Sequence, residues 1–88
     1  MLRISAEKQG KETRILHLEG KICKTWIGEL KTEIEKGLEA GNKIVLDFSR
    51  VAFIDEEAAA MINRFPHDRI EKRNCSLFIR SVLKIEKR

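Results

Sequence analysis

Four carboxylates stand close together in the middle of the chain: Asp47, Asp55, Glu56 and Glu57. Carboxylates gathered at the C-terminal end of a strand can hold a divalent cation for phosphoryl transfer, and open α/β sheets place their ligands at that end. Such chemistry also needs a cradle for phosphate, and no Gly-rich loop occurs. The histidines, His17 and His67, have no partner at ligand spacing. Cys23 and Cys75 form no C-x-x-C pair, so a zinc site is not indicated. Cys75, read as the start of a strand, is expected to be a small buried hydrophobe. No catalytic residue, cofactor or metal is assigned, and a carboxylate-site enzyme is kept only as an alternative.

Asp55, Glu56 and Glu57 also have a purely structural explanation. A helix begins with unsatisfied N–H groups and a partial positive charge. Asp55 suits the N-cap, where its side chain accepts from the first turn. Glu56 and Glu57 suit the turn itself, each contributing about 0.3–1 kcal/mol. The helix they open continues through Ala58 and Ala60, with Ala59, Met61 and Ile62 as packing residues. Pro66 should end it near Arg64.

The elements that position this helix can be read from hydrophobic periodicity. Leu2 to Ala6 alternates apolar and polar, the period of a half-buried strand. After turn chemistry at Lys8-Gln9-Gly10-Lys11, Thr13 to Glu19 reads as its hairpin partner, with Leu16 and Leu18 on one face and Ile15 and His17 on the other. Gly20 marks the exit, and His17 is expected at the surface. Thr25 can cap a first helix whose stripe is Trp26, Ile27, Leu30, Ile34 and Leu38, stopped at Gly41-Asn42. Ile44 to Phe48 has no alternation, as expected of a central strand, and Ser49 is placed on the loop after it. Beyond Pro66, a helical piece is expected at about Asp68 to Lys72, a fourth strand at Ser76 to Ile79, and one or two helical turns or a frayed end from Val82 to Arg88. The order is β-β-α-β-α-β with right-handed crossovers: an α/β domain with a four-stranded mixed sheet packed by helices, spanning residues 1–88.

With 88 residues, 42% hydrophobic and 36% charged, the composition is that of a small globular domain rather than a disordered chain. No stretch approaches the roughly 18 apolar residues of a membrane span, so direct membrane insertion is not expected. The N-terminus lacks an apolar export signal, and two cysteines make no disulfide framework. These features point to the cytoplasm. The net charge of +4 is spread along the chain, without the basic stripe or stacking aromatics of a nucleic-acid binder.

The segment Ile44-Val45-Leu46-Asp47-Phe48-Ser49-Arg50-Val51-Ala52-Phe53-Ile54-Asp55-Glu56-Glu57-Ala58 resembles the signature of the STAS domain, the family of bacterial anti-sigma-factor antagonists. There a buried Leu-Asp-Leu-Ser strand leads to Val-x-Phe-Ile-Asp-Ser-Ser-Gly at a helix start. Leu16-His17-Leu18-Glu19-Gly20-Lys21-Ile22 is similar to the family's Val-x-Leu-x-Gly-x-Leu/Ile element. The resemblance implies a small STAS-like α/β fold and a protein partner, either a kinase-type anti-sigma factor or, alternatively, a subunit of a membrane transport complex. Homodimerisation is a third possibility. It also implies that Glu57 occupies the place of the family's phosphoacceptor Ser, a degenerate phosphosite, and that Ala58 replaces the following Gly. One carboxylate supplies −1 where a phosphoserine brings about −1.5 to −2. The implied partner-binding residues are Asp55, Glu56, Glu57, Ala58, Met61 and Ile62.

Overall fold

Gly10, at φ 71°, closes a hairpin between β1 (Leu2–Gln9) and β2 (Thr13–Ile22). The computed structural model describes residues 2–84. After the hairpin come α1 (Thr25–Glu39), β3 (Lys43–Ile54), α2 (Glu56–Asn63), β4 (Ile70–Arg73) and α3 (Leu77–Leu83). The sheet order is β1-β2-β3-β4, with β1 antiparallel to β2 and the other two pairings parallel. This is the mixed four-stranded sheet expected from the sequence.

Alternation along the strands sorts the side chains between two faces. Leu16, Leu18, Ile44, Leu46, Phe48 and Ile70 point to one of them. There they join Ile27, Leu30 and Ile34 of α1, Ala58, Ala59, Met61 and Ile62 of α2, and Ile79 and Leu83 of α3 in a single core. Gly37 brings α1 down onto the sheet, because a Cβ at that position would run into Ile44 Cδ1. The helices share this face. The opposite face carries Ser5, Glu7, Ile15, His17, Val45, Asp47, Glu71 and Arg73, in register across the four strands.

Several expectations need correction. The fourth strand is Ile70–Arg73, paired with Ile44 to Asp47, where a helical piece was expected. Its one core residue is Ile70, and three charged residues follow, so it has no apolar run to betray it. Ser76 to Ile79, expected as that strand, instead opens α3. Ser76 is the N-cap, its Oγ accepting from the Ile79 N–H at 3.2 Å, and Ile79 and Leu83 are buried one turn apart. A short apolar run does not distinguish the two periods. Cys75 is half-buried in the turn between β4 and α3 rather than on a strand. Thr25 is the first residue of α1, not its cap; Lys24 caps it at φ 53° without a side-chain hydrogen bond. Strand β2 runs past Gly20, absorbing it at a register shift, and β3 runs on through Ser49 to Ile54. Of the segment from Val82 to Arg88, residues 85–88 lie outside the described residues.

Candidate functional site

The start of α2 is built as its residue types require. Asp55 is the N-cap in extended backbone, and its Oδ1 accepts from the Ala58 N–H at 2.8 Å. Its own N–H donates to the Ile22 carbonyl at 3.2 Å, fastening the helix start to the end of β2. Glu56 and Glu57 project outward, and neither forms an ion pair among the described residues. Ala58, Met61 and Ile62 are buried in the core. They hold the helix against the sheet and are closed to a partner, which corrects their place among the partner-binding residues. The accessible part of that set is Glu56 and Glu57, with Asp55 half-buried.

An apolar patch at the same end of the sheet was not foreseen. Because β3 continues to Ile54, Phe53 stands just ahead of the Asp55 cap. Its ring stacks on Phe78 of α3, with centroids 5.8 Å apart. Phe53 is 39% exposed, Phe78 47% and the neighbouring Leu77 81%, while every other large hydrophobic side chain described is at least partly covered. Placing Phe78 on a strand hid this pair from the sequence. Scattered exposed apolar residues are ordinary; here two of the three, Phe53 and Phe78, meet ring to ring.

A second polar constellation lies on the opposite sheet face. His17 Nε2 is 2.8 Å from Glu7 Oε1, and its Nδ1 is 2.9 Å from Asp47 Oδ2. Asp47 Oδ1 also accepts from the Ser49 backbone N–H at 3.0 Å and from Asn74 Nδ2 at 2.9 Å. Burial works against ionisation of Asp47, but the hydrogen bonds from Asn74, Ser49 and His17 outweigh it and hold its carboxyl well below the usual carboxylate range. The bonds to Glu7 and then Asp47 raise the pKa of His17, with burial opposing them. Arg73 at 2.7 Å, then Lys43, lower that of Glu71. Asp47 and His17 are neighbours only because β2 and β3 pair in this register. Alternation alone could not have placed them together.

A groove of about 620 Å³ runs between β4 and the ends of α2 and α3, lined by Asn63, His67, Lys72 and Lys84 among others. Lys72 Nζ donates to Asn63 Oδ1 at 3.1 Å, and burial lowers its pKa. Burial pushes the Cys75 thiol up, away from the reactive thiolate. Among the described residues no three His, Cys, Asp or Glu side chains gather as a metal site needs, and no helix is long and apolar enough to cross a membrane.

The model of the STAS domain family matches residues 3–85. Among solved structures, the chain is similar to the anti-sigma factor antagonist SpoIIAA in its unphosphorylated form. That likeness has a TM-score of 0.72 at 17% identity and covers 93% of this chain and 78% of the other. At this identity it speaks for the fold. No curated protein matches.

Proposed function

The chain belongs to the STAS domain family, and we propose that it is a non-catalytic protein-interaction module of a bacterial, cytoplasmic regulatory system of the anti-sigma-antagonist type. The observation that supports this most directly is the exposed group of Phe53, Leu77 and Phe78 beside the acidic start of α2. Apolar side chains supply the desolvated centre of a protein interface and charged neighbours its rim. Here the rim is Glu56 and Glu57, and the expected partner surface is an apolar pocket edged with basic residues.

Glu57 stands where the family resemblance places a phosphorylatable Ser. A carboxylate has no hydroxyl to modify, so the module does not switch by phosphorylation there. It stays in one binding state, with permanent charge at the helix start. The fold itself is shared with unphosphorylated SpoIIAA, which supports a STAS scaffold here.

Affinity capture from the native lysate, read by mass spectrometry with phosphosite mapping, tests the proposal on wild type, Leu77→Ser, Phe53→Ser and Glu57→Ser. A kinase-type regulator should be captured by wild type, be lost with Leu77→Ser, and phosphorylate only the Glu57→Ser protein. Capture of transport-complex subunits would move the module to a transporter. A capture profile indifferent to all three substitutions would remove the patch from the function.

A further inference from the structure

A neutral imidazole has one N–H to give, and an imidazolium has two. Both ring nitrogens of His17 face carboxylate oxygens, Glu7 at 2.8 Å and Asp47 at 2.9 Å. Ionised carboxylates only accept, so both contacts are hydrogen bonds at the same time only when His17 is charged. We propose that His17 is a proton-operated clasp: as imidazolium it ties edge strand β1 across β2 to β3, and as neutral imidazole it keeps Asp47 and releases Glu7.

Which carboxylate is released follows from how each is held. Asp47 has a side chain 16% exposed and two further donors, Ser49 and Asn74. Glu7 is 60% exposed, sits on an outer strand, and has His17 as its one ion-pair partner among the described residues. The outer half of β1 is held by its antiparallel ladder to β2, which pairs Ala6 to Gln9 with Leu16 to Thr13, and adds no buried side chain of its own. Leu2 is buried and Ile4 partly so, but Ala6, Glu7, Lys8 and Gln9 are all exposed. Glu7 is also paired with Ile15, a buried apolar residue on the face without helices. Its release therefore loosens the hairpin and uncovers that residue.

The other charges around His17 are Arg3 on β1, Glu19 on β2 and Arg50 on β3, which line a hollow of about 290 Å³ beside it. Arg73 of β4, next to Asp47 in register, is engaged by Glu71. The two arginines lining the hollow disfavour charge on His17 and Glu19 favours it, so the two carboxylates in contact decide. The hydrogen bond to Glu7, then that to Asp47, raises the His17 pKa, which extends the closed state upward in pH.

Imidazole ¹⁵N–¹H NMR on the whole chain tests this, together with amide exchange of Ala6 to Lys8 corrected for intrinsic rates. His17 should show two ring N–H signals at mildly acidic pH. Its titration midpoint should be higher in the folded protein than in urea, and lower in Glu7→Gln than in wild type. Opening of the β1 amides should rise about two- to fivefold above that midpoint, the span of an exposed ion pair. In Glu7→Ala, which removes the acceptor altogether, the opening should be at the higher level throughout. A midpoint unmoved by Glu7→Gln, or β1 protection that ignores pH in wild type, would overturn the clasp. Glu7 is an exposed residue, so both variants fold and the result can be read.

Discussion

The start of α2 and the sheet face around His17 both display carboxylates, yet they treat them in opposite ways. At the helix start, Asp55 is satisfied by backbone, while Glu56 and Glu57 answer only to the helix dipole and are free of ion pairs among the described residues. On the sheet, Glu7, Asp47 and Glu71 each meet a side-chain donor within 3 Å. Charge answered within the fold belongs to stability, and charge left open beside exposed Phe53, Leu77 and Phe78 is available to a second molecule. Under the proposed function, the two acidic regions divide structure from recognition.

The strongest way to break that division is Asp47→Ala. It removes the acceptor shared by His17, Asn74 and the Ser49 N–H, donors that water can still reach, so it should lower unfolding free energy by about 1.5–2 kcal/mol, the low end for hydrogen bonds to a charged group. Urea denaturation at pH 6 measures it. A loss of a few tenths would mean that the network is ornamental and that the sheet face is as free as the helix start. Asp55→Ala comes next, at about 1 kcal/mol for a lost N-cap. It should leave partner capture reduced no more than its destabilisation explains.

The pH dependence of stability sharpens the contrast from another side. Asp47 and Glu71 have lowered folded pKa values, so the stability they give is present above the ordinary carboxylate value of about 4 and is lost as pH falls through the lowered values. The raised value of His17 works the other way. Its contribution is complete below about 6.5 and is lost as pH rises through the folded value. Stability should therefore be highest between about pH 5 and 6.5. In His17→Gln the decline on the alkaline side should flatten while the acid limb remains. An unchanged alkaline limb would place the titration in some other group.

The two regions also differ in how far the sequence exposes them. The helix start is local: Asp55, two glutamates and an apolar stripe at helical spacing define cap, charge and buried face within a few residues. The sheet cluster is not, because Glu7, His17 and Asp47 meet through two pairing registers, one of them interrupted by a shift between His17 and Glu19. No spacing along the chain encodes that. The end of the chain failed for a third reason. Ile70 to Arg73 is an edge strand with a single core residue, and Ser76 to Ile79 is too short to show its period. With α3 misplaced, Phe78 could not be seen beside Phe53, and the apolar half of the candidate interface went with it. The partner-binding set was misjudged more simply. Ala58, Met61 and Ile62 lie on the stripe that a helix on a sheet must bury, so the spacing that located the helix also excluded them from its outer surface.

Glu56→Gln/Glu57→Gln should have the smallest effect on stability and is the sharpest test of the division. Each carboxylate interacts with the helix N-terminus for about 0.3–1 kcal/mol at low ionic strength. The amides keep size and polarity, and 0.15 M salt screens exposed charge over about 8 Å, so the measured loss should sit near the bottom of that range. Partner association should change more than folding does, since a charged rim acts mainly on the rate of encounter and on its salt dependence. The expected pattern is a slower association rate, with a weaker dependence on ionic strength, at nearly constant unfolding free energy. A loss of stability as large as that of Asp55→Ala, with association unaltered, would show that Glu56 and Glu57 serve the helix alone. The open acidic charge would then be as internal to the fold as the ring of donors around Asp47.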